Sequence, residues 1–121
     1  MQTNLKQAVM RKKIQEIAPE VTVVFNTTKK AKKLLGTMFC ADKIVKFYRP
    51  LFKYNLDSCL HCVYHELAHY YQWQISGYTQ HDKQFEDIKD MLIADYGTKQ
   101  IKAANKSKKS KRYSYYMLDN E

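Results

Sequence analysis

The stretch from His61 to Phe85, HCVYHELAHYYQWQISGYTQHDKQF, holds all four histidines of the 121-residue chain. Its reading decides the fold. Within it, HELAH places His65 and His69 four residues apart, which on a helix brings both imidazoles to one face, with Glu66 projecting alongside. Asp57 offers an N-cap carboxylate upstream, and Gly77 can supply the left-handed residue that stops a helix, so the spacing predicts a helix from about Asp57 to Ile75. At about 100° per residue Leu60, Val63, Tyr64, Leu67, Tyr71 and Ile75 share one arc, the expected core face, opposite His65, Glu66 and His69.

Two histidines do not complete a metal site. Zinc takes nitrogen donors at tetrahedral corners, and a catalytic zinc has three protein ligands and one open position. His81 is the best third donor, because the chain has passed Gly77 and can fold back to bring the start of the next helix beside the ion. His61, one turn before His65, and Cys62, on the flank of the same arc, are weaker candidates. Such a site would hold one Zn²⁺ per chain. Cys59 and Cys62 form a Cys-x-x-Cys with no second pair, and read with Cys40 as packed thiols rather than a ribbon or redox motif. Trp73 lies on the metal-facing arc and is a candidate for lining the cleft, although packing is its plainer reading.

Outward from this stretch, Met10, Ile14 and Ile17 are spaced for an amphipathic helix that starts near Thr3 and ends before Pro19. Val21 to Phe25 reads as a strand. After the basic loop Lys29 to Lys33, LLGTMFCA and KIVKFYRPLF predict a hairpin turning near Asp42 and Lys43, with Pro50 marking an edge or a strand end. Downstream, Thr79 to Asp82 has capping-box spacing for a helix whose stripe is Phe85, Ile88, Leu92 and Tyr96, with Gly97 as its C-cap. Residues 98–121 show no strong period and are expected to form a basic, flexible tail behind a domain of residues 1–97.

The length allows one modest core. No apolar run approaches the roughly 20 residues that span a bilayer, and no signal-peptide block opens the chain, so a cytoplasmic or otherwise intracellular, non-secreted protein with no membrane partner is expected. The net charge of +9 is uneven, since residues 98–121 carry seven Lys or Arg against Asp119 and Glu121. Lys106, Lys108, Lys109, Lys111 and Arg112 are candidate phosphate contacts, and Tyr113, Tyr115 and Tyr116 offer faces on which bases can stack. A solvated tail is the plainer reading of the same residues.

HELAH, Trp73, His81 and Phe85 together resemble the SprT-like (Spartan-type) zinc metallopeptidases, in which an HExxH helix is followed by a loop and a further histidine. The resemblance covers about residues 5–96. It implies an α+β, zincin-like metallopeptidase domain: an N-terminal helix, a three-stranded antiparallel sheet, the HExxH helix, and a following helix carrying the third ligand. It further implies zinc on His65, His69 and His81, Glu66 as catalytic base for a water activated with zinc, and protein substrates associated with or crosslinked to DNA. Two features depart from the pattern. Asp82 stands where a glycine usually follows the third histidine, and no cysteine follows Cys62, so the C-terminal zinc ribbon of many relatives is missing. A zinc-containing nucleic-acid-binding protein without proteolysis, and a zinc hydrolase of another substrate, are the competing expectations.

Overall fold

The computed structural model describes residues 1–28 and 34–110, the side chains of the last helix as far as Lys106, and residues 118 and 119. The expected basic loop at Lys29 to Lys33 lies outside the described residues. So do the side chains of Lys108 and Lys109, and all of Lys111, Arg112, Tyr113, Tyr115 and Tyr116.

The chain is α+β. Helix α1 (Thr3–Ile17) leads into β1 (Thr22–Asn26), β2 (Gly36–Phe39) and β3 (Ile44–Tyr48), then a single 3₁₀ turn (Arg49–Lys53), α2 (Leu56–Ser76), α3 (Lys83–Tyr96) and α4 (Lys99–Ser110). Lys43, at φ 54, turns the β2–β3 hairpin where the sequence placed it. The sheet is nevertheless mixed rather than antiparallel. Its order is β1-β3-β2, and β1 runs parallel to β3 with Thr22 opposite Ile44. Three consecutive strands suggest a meander. Here the far side of β2 is pressed against α2, with Gly36 beside Cys62 and Glu66, so β3 offers β1 its free edge.

Helix α2 is the centre of the molecule, packed by α1, α3, α4 and β2. Its cap is Asn55, whose Oδ1 accepts from the Ser58 amide at 2.9 Å, and not Asp57, which lies in the first turn. Gly77 ends it at φ 75 in the left-handed region. Leu60, Val63, Tyr64 and Leu67 are buried as the arc predicts, but Cys59, His61, Cys62, Glu66, Ala68, Tyr70 and Gln72 are buried too, because β2 and α3 cover the opposite side. Only towards its end does the helix run out of cover, and Ile75 is 67% exposed.

Two tyrosines and a buried lysine fasten the surrounding helices. The Tyr64 hydroxyl donates to the Tyr96 carbonyl and the Tyr71 hydroxyl to that of Ile17, each at 3.1 Å, satisfying the last carbonyls of α3 and α1. Lys6, fully within α1's buried face, donates to the Phe52 and Tyr54 carbonyls at 2.9 and 2.8 Å and pairs with Asp119 at 2.9 Å. That lysine therefore ties the 3₁₀ turn down immediately before Asn55 starts α2.

Past residue 97 the packing continues: α4 buries Ile101 completely, and Asn105 donates to Asp90 of α3 at 2.9 Å. The expected tail is thus helical to Ser110, and Lys106 is exposed on it. Gly97 does follow α3, but in an extended conformation, and its role is spatial, since a Cβ there would collide with the Ile93 carbonyl. No helix among the described residues is long and apolar enough to cross a membrane.

Candidate metal centre

His65 and His69 sit one turn apart on α2, and His81 precedes the first turn of α3. The loop between them brings the His81 Nε2 to 3.2 Å from that of His65 and 3.0 Å from that of His69. Asp82, not Thr79, caps α3, its Oδ1 accepting from the Phe85 amide at 3.0 Å. The glycine-to-aspartate departure thus supplies a cap. Hydrogen bonds from the Phe85 amide, Tyr78 and Gln72 hold the Asp82 carboxyl below the usual carboxylate range.

Phe85 forms the floor, with its ring centroid 4.9, 4.5 and 5.0 Å from those of His65, His69 and His81. The walls come from Gly36, Thr37 and Met38 of β2 on one side and Thr79 on the other, enclosing a cleft of about 260 Å³ with the histidines and Glu66. The other weighed residues stay out of the cluster. His61 and Cys62 are buried within α2, Trp73 is half-buried and does not line the cleft, and Cys40 lies in the hairpin turn rather than in a strand.

The donor set fits a metal ion. A neutral imidazole has one N–H and one lone pair, so three ring nitrogens crowded together satisfy at most part of their contacts by hydrogen bonding. Burial, and then the neighbouring His81, push the pKa of His69 down to about 4, leaving that ring neutral at pH 7. Its Nδ1 is buried without a partner among the described residues. A cation among the three nitrogens would relieve the crowding. Tetrahedral zinc with Zn–N of about 2.0–2.1 Å separates its ligand nitrogens by about 3.3–3.4 Å, near the observed 3.0 and 3.2 Å. These three histidines could therefore hold one metal ion.

Glu66 is 6% exposed, and one carboxylate oxygen lies 4.0 Å from His65 Nε2. Burial raises its pKa to about 7, opposed by a hydrogen bond from the Met38 backbone amide. Loss of solvation is the larger effect. The carboxyl thus stands near neutrality beside the histidine cluster, held by a peptide group of the adjoining strand.

Sequence reasoning missed the β2 wall and Gln72. Gly36 was a usable signal, because a glycine inside an apolar strand often marks close backbone approach. A Cβ at Gly36 would lie 3.1 Å from Phe47 Cδ1, 3.2 Å from Cys62 Sγ and 3.3 Å from Glu66 Cγ. A model of the SprT-like family matches residues 1–107. No curated protein and no solved structure matches the chain.

Proposed function

The chain belongs to the SprT-like family, and on that premise we propose that it is a zinc-dependent endopeptidase in which His65, His69 and His81 hold the ion and Glu66 is the catalytic base. The observation that carries the proposal is the convergence of three imidazole nitrogens in one cleft with a buried carboxyl that is not itself part of the cluster. Zinc bound there would supply Lewis acidity, polarising a peptide carbonyl and acidifying a water molecule.

Glu66 takes the proton of the attacking water and returns it to the departing amine. A cation on the three histidines draws the Glu66 pKa down and leaves the carboxylate ionised. The Met38 amide and the contact with Gly36 orient the Glu66 side chain from the strand side. Phe85, buried against all three rings, shields their inner face from water and would leave an ion open to substrate from the cleft side.

Proteins associated with or crosslinked to DNA are the proposed substrates, supported by the resemblance and by the net charge of +9. Lys106, exposed on α4, and the more distal Lys108, Lys109, Lys111 and Arg112 are the proposed DNA contacts. The test is zinc quantification together with casein or histone digestion, with and without single-stranded DNA. One zinc per chain and digestion that disappears in Glu66→Gln are expected. Zinc-loaded protein that cleaves neither substrate under any condition would favour a non-proteolytic zinc protein.

A further inference from the structure

His81 is the one exposed member of the histidine cluster, and it belongs to neither neighbouring helix. Something must hold its backbone. The exposed bonds of the loop are weak candidates: Tyr78 donates to Asp82 Oδ2 at 3.1 Å and to Gln84 Oε1 at 3.2 Å, and Gln84 donates to Ser76 at 2.9 Å, all where water competes.

Gln72 is different. It stands one turn beyond His69 on the same side of α2 and is completely buried. A buried primary amide is costly unless its donors and acceptor are satisfied. Its Nε2 donates to Asp82 Oδ1 at 2.8 Å and to Gln84 Oε1 at 3.3 Å, while its Oε1 accepts from the Gln80 backbone amide at 2.9 Å. One side chain thus grips the residue before His81 and the residue after it.

We infer that Gln72 is the positioning residue for the third metal-binding imidazole, fixing the backbone on both sides of His81 and thereby the place of its Nε2 relative to His65 and His69. The inference rests on the reading of these histidines as one metal seat. It explains how an exposed loop can deliver a ligand to a seat built on a helix. Gln72 rides on the helix that carries the other two, so all three imidazoles are referred to one rigid element.

The test uses Gln72→Met, which fills similar space without hydrogen bonding, and Asp82→Ser, which keeps a capping hydroxyl but is too short to receive the Gln72 amide. Zn²⁺ affinity is measured by chelator competition, coordination by the absorption spectrum of the Co²⁺-substituted protein, and structural integrity by thermal unfolding of the metal-free protein. Each variant should weaken zinc binding about 10- to 100-fold, the range for loss of a group that orients a ligand. Their cobalt spectra should move towards that of His81→Ala, and the loss of zinc affinity in each should exceed what any lowering of the metal-free unfolding temperature accounts for. Wild-type affinity and spectrum in both variants would overturn the inference, as would a loss of affinity that merely follows lost stability with an unchanged spectrum. Failure of the unsubstituted protein to bind either metal would instead remove the metal-seat reading itself.

Discussion

His65, Glu66 and His69 ride on α2, a helix capped at Asn55, stopped at Gly77 and covered on nearly every side. His81 rides on a short loop at the surface. The helical half is placed by backbone periodicity and by packing distributed over many residues, so no single neighbour decides it. The loop half depends on a few hydrogen bonds, chiefly those of Gln72. A site of this kind should fail in two ways: chemistry and folding through the helix, metal retention through the loop.

The largest expected effect tests the chemistry of the helical half. Glu66→Gln keeps the shape and removes the proton acceptor, so peptide hydrolysis should fall by about 10²- to 10⁴-fold with zinc content unchanged. Hydrolysis at the wild-type rate would assign the base elsewhere.

Next, His81→Ala should cost more zinc affinity than the roughly 10- to 100-fold expected for an orienting partner, yet leave the unfolding temperature of the metal-free protein nearly unchanged. His69→Ala should lower both, since that ring is half-buried against Phe85. Equal stability losses in the two variants would erase the contrast between helix and loop.

A pH titration sharpens it further. In the metal-free protein Glu66 binds its proton more tightly folded than unfolded, so its contribution is greatest below about 4.5 and is lost as pH rises through about 7, by on the order of 3 kcal/mol. His69 has the opposite sign: its folded pKa is lowered from 6.5 to about 4, and its contribution is present above 6.5 and lost as pH falls through about 4. Between these limits the two oppose each other. Chemical denaturation of metal-free Glu66→Gln should therefore show stability rising from pH 4 to 6.5 more steeply than in the wild type; parallel curves would contradict the burial of Glu66.

The smallest effect concerns the strand wall. Gly36→Ala pushes a methyl against Phe47, Cys62 and Glu66 and should cost about 1 kcal/mol. It should lower kcat more than it raises KM, because Glu66 moves while the cleft stays open. An unchanged kcat would separate β2 from the orientation of Glu66.

The helical half was legible because HELAH fixes geometry through a period of 3.6, and Gly77 and Pro19 punctuate the chain unambiguously. His81 was legible only as a donor within reach. Its actual place depends on Gln72, and a glutamine in a helix looks the same whether it faces water or clamps a loop. Caps were misplaced by two or three residues because Asn55 and Asp57, or Thr79 and Asp82, are all residue types that favour the cap position. Strand order escaped altogether, since alternation in VTVVF and KIVKFY says which faces are apolar and nothing about which edges meet. Helix α4 (Lys99–Ser110) was not foreseen because it is anchored mainly through Ile101 and Asn105, too few positions to announce a period.

The parallel pairing of β1 with β3 also orders events in time. The β2–β3 hairpin closes across a tight turn at Lys43, whereas β1 must reach past β2 in the sequence to the hairpin's second arm, with Thr22 meeting Ile44. Local closure is entropically cheaper and faster. We therefore expect the hairpin to nucleate early and β1 to zip on last, so that Val23→Ala hastens unfolding and leaves the refolding rate almost untouched. The strand that borders the cleft would then be in place before the sheet is finished, and an incompletely assembled molecule would already possess the wall against which Glu66 rests.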